Sequence, residues 1–426
     1  VDPLGFGRGY LFLAERILPG LTNAANKPRY LSVLCAAVLI SDQASPKEVF
    51  ETPQAEYARR EASIMRMERF WALACVLASQ ADEGFEISGV RGLLDAQRAV
   101  RKIAEKGQTE TNGDFRLLAR QTQYGLIGIY ANVAERLMLI DRKTLRLSST
   151  PGADLAQAFL IETDVPKALR MAVAEGGEVK VKTLKAWGKR AHISGAFGST
   201  EGQWLRAALY DDAPTRMRMA ELLRKTPLLE VEAGETELAR LARIEASIEQ
   251  NDDERDLYEA LRALRFFEAC FQECMLVFYR MLWFAKEKSP ALSLNEIGAD
   301  PVVAESYKVF CVHSRALSAA FDGASLARQP ASKRLAEPVR WLKRLAEGGS
   351  SLEFAQGILN RHRDVQQSKR DGGRPKMPWI EEREGRISRT IAVSQGIEFE
   401  PSTAVQMAPH IYRTVTVDNF HIGSTA

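Results

Sequence analysis

The chain has 426 residues, 46% of them hydrophobic and 27% charged. That composition supports a large core and, by length, two or three domains, and it fits an ordinary globular protein. A net charge of +3 gives no global pull toward nucleic acid or membrane, so any polyanion-binding surface must be local.

The chain opens on Val1 with no pattern of a secretory signal. Gly5, Gly7 and Gly9 follow, then a short helical stretch to Leu18 that Pro19-Gly20 ends. Arg29 to Ile40 reads as a buried helix, and Ser45-Pro46 as a helix start with proline at the first position. Between Glu56 and Gln80, Ile64, Met67, Trp71, Ala74, Cys75 and Ala78 recur at helical spacing, with Arg59, Arg60, Arg66 and Arg69 between them. That predicts a long amphipathic helix.

Residues 110–162 predict a winged-helix-like module. A first helix starts near Phe115 and breaks at Tyr124-Gly125. A second runs from Ile127 to Ile140, and Thr144 to Leu147 alternates like a short strand. Thr150 then caps a helix with Pro151 at its first position. Further on, Asp212 to Lys225 reads as a helix, and helical periodicity dominates Glu235 to Lys288 with a break at Asn251-Asp252-Asp253. Ser332 to Ala346 is an amphipathic helix that Gly348-Gly349 stops. After Ser368 comes a basic loop, and the tail carries β-like runs such as Ile411 to Val417. The expected fold is mainly α: an N-terminal helical region (1–109), the winged-helix-like module (110–162), a helical core domain (163–368), and a basic loop with a β-containing tail (369–426).

The most apolar run, Cys274 to Ala285, is too short to span a bilayer and is interrupted by Arg280; it reads as a buried core helix. The odd set Cys35, Cys75, Cys270, Cys274 and Cys311 reads as reduced core thiols of a cytoplasmic protein. No contiguous Walker A, Rossmann, zinc-ligand or serine-hydrolase pattern occurs, and no cofactor or metal is implied. Ser199-Thr200-Glu201 reads as a helix cap. The histidines His192, His313, His362, His410 and His421 are scattered; Arg361-His362-Arg363-Asp364 is the one local cluster with acid–base potential.

Basic residues offer local support for a nucleic-acid surface, beside a reading as solvated segments. Lys180, Lys182, Lys185, Lys189 and Arg190 fall within eleven residues. Arg136, Arg142 and Lys143 lie in the winged-helix-like module, and Lys369, Arg370, Arg374 and Lys376 in the late loop. Lysine and arginine bind phosphates by charge and counterion release, and a reader helix would be the second of the module.

Several short stretches carry a resemblance. They are Leu4-Gly5, Leu18-Pro19-Gly20-Leu21-Thr22 and Arg29-Tyr30; then the 124–159 block with Tyr130, Leu139-Ile140, Pro151-Gly152, Leu155-Ala156 and Phe159; then Lys369 to Trp379, and Tyr412-Arg413 through Asn419-Phe420. Together they resemble a loosely defined group of uncharacterised bacterial proteins encoded near antiviral defence genes. The resemblance implies a role in a multi-protein defence system and transfers no catalytic residue. The expectation is a non-catalytic component of a bacterial antiviral-defence or DNA-transaction complex, binding DNA, RNA or protein partners from the same operon, and not a membrane. Two alternatives stand beside it. One is a metal-dependent nuclease using His362 with His410, Glu381 or Glu382; the other is a structural subunit that forms a homo-oligomer through the 235–288 helices.

Overall fold

The computed structural model describes residues 2–22, 24–44, 52–81, 85, 87–195, 197–227, 236–287, 292–323, 333–371 and 373–390. They form two compact units, 2–19 with 221–390, and 20–220. The first unit opens with α1 (Gly7–Ile17). The second holds α2 (Arg29–Ala44), α3 (Pro53–Ser79), α4 (Leu93–Glu105), β1 (Glu110–Thr111), α5 (Gln121–Tyr124), a π-helical turn (Leu126–Tyr130) and α6 (Ala131–Arg136). It continues with β2 (Ile140–Asp141), β3 (Arg146–Leu147), α7 (Gly152–Glu162), α8 (Lys167–Glu175), β4 (Val179–Lys180), α9 (Val181–Ala191) and α10 (Ser199–Tyr210). The boundary falls within α11 (Pro214–Lys225). The first unit then resumes with α12 (Glu237–Ile248), α13 (Arg255–Glu287), α14 (Leu294–Gly298), α15 (Pro301–Gly323), α16 (Lys333–Glu347) and α17 (Ser351–Ser368). It ends in β5 (Arg370–Asp371), β6 (Arg374–Pro375), β7 (Ile380–Arg383) and β8 (Arg386–Arg389).

The fold is mainly α, as the periodicity predicts. The strands make two-stranded antiparallel pairs: β1 with β4, β2 with β3, β5 with β6, and β7 with β8. Among the described residues, no helix is long and apolar enough to cross a membrane. All five cysteines are free, and burial pushes the Cys35 and Cys75 thiols up to about 12. Ser45-Pro46 and the run Ile411 to Val417 lie outside the described residues, while β7 and β8 fall in the described part of the expected β-containing tail.

In the second unit, α3 is the central support. Ile64, Met67, Trp71, Ala74, Cys75 and Ala78 are buried along it, and α2, α4, α8 and α9 pack against it. Its arginines hold neighbouring segments in place. Arg60 bonds the Asp42 carboxylate at 2.8 Å, and Arg66 donates to the Val173 carbonyl at the end of α8 at 2.7 Å, where a cation meets the negative end of a helix.

Residues 110–162 depart from the expected helix lengths, and the structure does not confirm a winged helix there. The first predicted helix is reduced to the single turn of α5, and the second ends at Arg136, after a π-turn. The reason lies outside the segment. Glu68 of α3 accepts from the Leu126 amide at 3.0 Å and from the Gln121 side chain at 2.8 Å. Gly128 sits where a Cβ would come 1.9 Å from the Gln123 carbonyl oxygen. Leu126, Ile127, Tyr130, Ala131, Val133 and Ala134 all face inward, so the expected reader helix is a core element. The cap of α7 also differs: Ser148 Oγ, not Thr150, accepts from the Gly152 amide, at 2.9 Å.

A buried ion pair locks the far side of this unit. Arg29 of α2 meets Glu201 of α10 at 2.9 Å, with both side chains almost fully buried. The guanidinium also donates to the His192 carbonyl at 2.9 Å and lies under the Phe197 ring. The start of α10 is capped from α7, where Glu162 accepts from the Thr200 and Glu201 amides, and not by its own Ser199 or Thr200.

In the first unit, α13 packs against α1, α12, α15 and α17, so its apolar side chains are largely consumed inside the unit. The opening glycine segment is a helix start, not a phosphate loop. Asp2 accepts from the Gly5 and Gly7 amides at 2.7 Å, and Gly9 packs against Leu335 and Phe267. The break at Asn251-Asp252-Asp253 is present as a 3-10 turn, with Asn251 accepting from Asp253.

Removing one partner of a buried pair leaves an uncompensated charge. Glu201→Ala is expected to lower the unfolding free energy by about 3–5 kcal/mol, read by chemical denaturation. A loss well under about 1 kcal/mol would show that the pair is not structurally important.

Candidate nucleic-acid interface

The lysine cluster is carried by α9, whose two faces have opposite duties. Leu184, Trp187, Gly188 and Ala191 are buried on α3. Trp71 Nε1 donates to the Ala191 carbonyl at 2.6 Å, and Trp187 Nε1 to Thr163 Oγ1 at 3.3 Å. Helical spacing then forces Lys182, Lys185 and Lys189 outward, and all three are exposed, as is Lys180 on β4.

The pairing of β1 with β4 adds to this cluster. Glu110 lies opposite Lys180, Thr111 opposite Val179, and the Val181 amide donates to the Thr109 carbonyl at 2.9 Å. This brings the end of α4, with Lys102 and Lys106, to the start of α9. Both are exposed. No described carboxylate forms an ion pair with Lys102, Lys106, Lys180, Lys182, Lys185 or Lys189. Glu105, Glu110 and Glu178 lie nearby in sequence and temper the field. Lys102 and Lys106 escaped the sequence reading, although Arg98-Ala-Val-Arg101-Lys102 through Lys106 carries a legible run of cations.

The other predicted cations are dispersed. Arg190 donates to the Thr163 carbonyl at 3.0 Å and pairs with Asp164 at 3.1 Å, fastening α9 to the end of α7. Arg136 ends α6, where the Gly20 backbone approaches it. Arg142 and Lys143 are exposed in the turn between β2 and β3. That hairpin is held to α3 by Arg146, which meets Glu56 at 2.5 Å and holds its carboxyl below the usual range.

Lys369, Arg370, Arg374 and Lys376 belong to the other unit, on the hairpin of β5 and β6. Lys369 Nζ donates to the Asp2 carbonyl at 2.6 Å, and partial burial lowers its pKa. Arg370 and Arg374 are exposed.

His362 is a buried fastener. Its Nε2 accepts from the Trp379 amide at 2.8 Å, which leaves the proton on Nδ1 to be donated to the Pro3 carbonyl at 3.0 Å. Both ring nitrogens are therefore committed. Beside it, Arg361 donates to the Leu4 carbonyl at 2.9 Å and forms a bidentate pair with Glu337. Glu381 pairs with Arg383 on the same strand, and Glu382 is exposed. His410 lies outside the described residues. No group of three or more His, Cys, Asp or Glu side chains is placed to hold a metal ion among the described residues.

His192 shows the same kind of commitment in the second unit. The Ser194 amide donates to Nδ1 at 3.2 Å. Nε2 therefore carries the proton and donates to Ser79 Oγ at 3.0 Å, and that hydroxyl donates to the Cys75 carbonyl.

Burial, with the nearby Lys369 charge, depresses the His362 pKa from 6.5 to about 4. Between these values the unfolded chain holds the proton and the folded chain does not, so stability falls as pH drops from 6.5 toward 4 and is unaffected above that window. In urea unfolding, His362→Gln is expected to lose about 1–2 kcal/mol less than the unsubstituted protein between about pH 7 and about pH 5. Equal losses in both proteins would contradict this assignment.

No family model, curated protein or solved structure matches the chain, so the function of this surface rests on its own residues.

Proposed function

We propose that this protein binds the phosphate backbone of nucleic acid through the surface formed by α9, β4 and the end of α4, as a non-catalytic component of a bacterial antiviral-defence or DNA-transaction complex. One observation carries the reading: the β1–β4 pairing sets two basic segments, distant in sequence, side by side. Their lysines have no carboxylate partner among the described residues. Such cations release counterions when they meet phosphates, which favours binding without base readout. The inward-facing helix at 126–136 supports the same conclusion, because it leaves backbone contact, not a groove-reading helix, as the mode of recognition. The place in a defence complex is supported by the sequence resemblance alone.

The test is fluorescence anisotropy of labelled DNA across a salt series. Affinity should fall steeply with salt. Lys182→Glu with Lys185→Glu and Lys189→Glu should weaken binding at least ~10-fold and reduce the slope of log K against log salt by about 0.7–0.9 for each phosphate no longer neutralised. The three side chains are exposed, so folding should be unchanged. Binding that ignores salt, or is unaffected by the triple variant, refutes the proposal.

A further inference from the structure

The lysine surface continues along α4 into a region that differs in chemistry. Ala96, Val100 and Ile103 of α4 are buried. The opposite face presents Leu94, Arg98, Arg101, Lys102 and Glu105, one stripe at helical spacing. At the start of α4, Gly92 is left-handed, with a φ of 68°. A Cβ there would come 2.3 Å from the Leu117 carbonyl oxygen, so the 115–120 segment lies directly against the helix entry. Arg91 closes the arrangement. Its Nε donates to the Tyr124 carbonyl at 2.6 Å and its amide to the Tyr30 hydroxyl at 2.6 Å.

These contacts tie the 115–124 segment, which carries Arg116, Arg120 and Tyr124, to the entry of α4. Arg116 and Arg120 are exposed, and so are Tyr124 (46%) and Leu94 (68%). No described carboxylate pairs with Arg101, Arg116 or Arg120; Arg98 meets Asp95 at 2.9 Å, and Arg120 approaches only Gln123, at 3.4 Å. The acids nearby are Asp95, Glu105 and Asp114, the last of which Arg69 approaches at 3.7 Å. Cations thus outnumber acids among the exposed residues of α4 and the segment tied to its entry, and both an exposed tyrosine and an exposed leucine occur with them.

An exposed aromatic set among cations suits a strand whose bases are free. Phosphates meet the arginines while a base stacks on the ring, and a duplex hides the base faces that such a ring would touch. We infer that α4 with the 116–124 segment is a site for single-stranded nucleic acid, in which Arg98, Arg101, Arg116 and Arg120 hold the backbone and Tyr124 stacks a base. The inference rests on the phosphate-binding reading of the neighbouring lysines and names the substrate class that the combined surface takes. It also gives Tyr124 a role distinct from charge.

The experiment uses the full chain and three labelled probes: an oligothymidylate, an oligouridylate, and a duplex of the same length. At least one single strand should bind ~10-fold or more tightly than the duplex, and the comparison of the two single strands identifies DNA or RNA as the source. Tyr124→Ala should weaken single-strand binding by roughly 5- to 150-fold, the range expected when one base no longer stacks on an aromatic ring. Tyr124→Phe should retain it, because the ring and not the hydroxyl carries the interaction. Arg116→Glu with Arg120→Glu should weaken it and lower the salt slope. Duplex binding equal to or tighter than both single strands overturns the inference while leaving phosphate binding by the lysines intact. So does a Tyr124→Ala variant, folded by circular dichroism, that binds as tightly as the parent. Binding of none of the three probes removes this inference and the lysine reading together.

Discussion

The second unit depends on a guanidinium placed where it cannot reach water. Arg29 reaches from α2 to three groups that would otherwise face an apolar interior: the Glu201 carboxylate and the carbonyls of Arg190 and His192. Those carbonyls end α9, so the cation sits at the negative end of that helix. Because the charge is desolvated, each of these bonds is worth more than it would be at a surface, and removal of any one is correspondingly costly. The position of α9, and with it the outward lysines, is fixed from this buried end. The same pair anchors α10, whose first amides are held by Glu162. Three helices thus take their places from two charged side chains and one borrowed cap.

How much of this was legible depends on whether the cause is local. The extents of α3, α11, α13 and α16 follow from apolar spacing, early prolines and terminal glycines, all of which act within a few residues. The helix lengths in the 110–136 region are not legible locally because its geometry is set by Glu68, more than fifty residues earlier. Nothing in the local pattern shows that a carboxylate will arrive to hold the Leu126 amide. His362 tells the same story: its neighbours Arg361 and Asp364 suggest acid–base chemistry, while its actual partners are the backbones of Pro3 and Trp379. The lysines at 180–190 were visible as a cluster. Their extension by Lys102 and Lys106 was not, because a two-residue strand pair leaves almost no periodic trace.

Two buried carboxyls show what the cores tolerate. Burial pushes Glu68 up to about 7 and Glu268 up to about 8, against a usual 4.5. Glu68 recovers part of its solvation from the Gln121 and Leu126 donors, whereas Glu268 has the Gln272 amide on one oxygen and no described partner on the other. A raised carboxyl pKa favours the folded state fully below 4.5, and that contribution is lost as pH rises through the raised value. Within the first unit, the Glu268 contribution is lost as pH rises from 4.5 toward about 8, whereas His362 costs stability as pH falls from 6.5 toward about 4. The two effects have opposite sign and offset one another where the windows overlap, between 4.5 and 6.5.

Gly188 carries a consequence that reaches the surface. On α9 it faces the Ala74 backbone so closely that a Cβ would come 2.1 Å from the carbonyl oxygen. The two helices meet backbone to backbone, with no side chain to act as a spacer. Since α4 packs on the same α3, the distance between the cations of α4 and those of α9 is inherited from this close approach. A single methyl group added at a buried, uncharged position would shift a row of surface lysines against a row of arginines. The spacing between these two rows of surface cations is thus determined in the protein's interior.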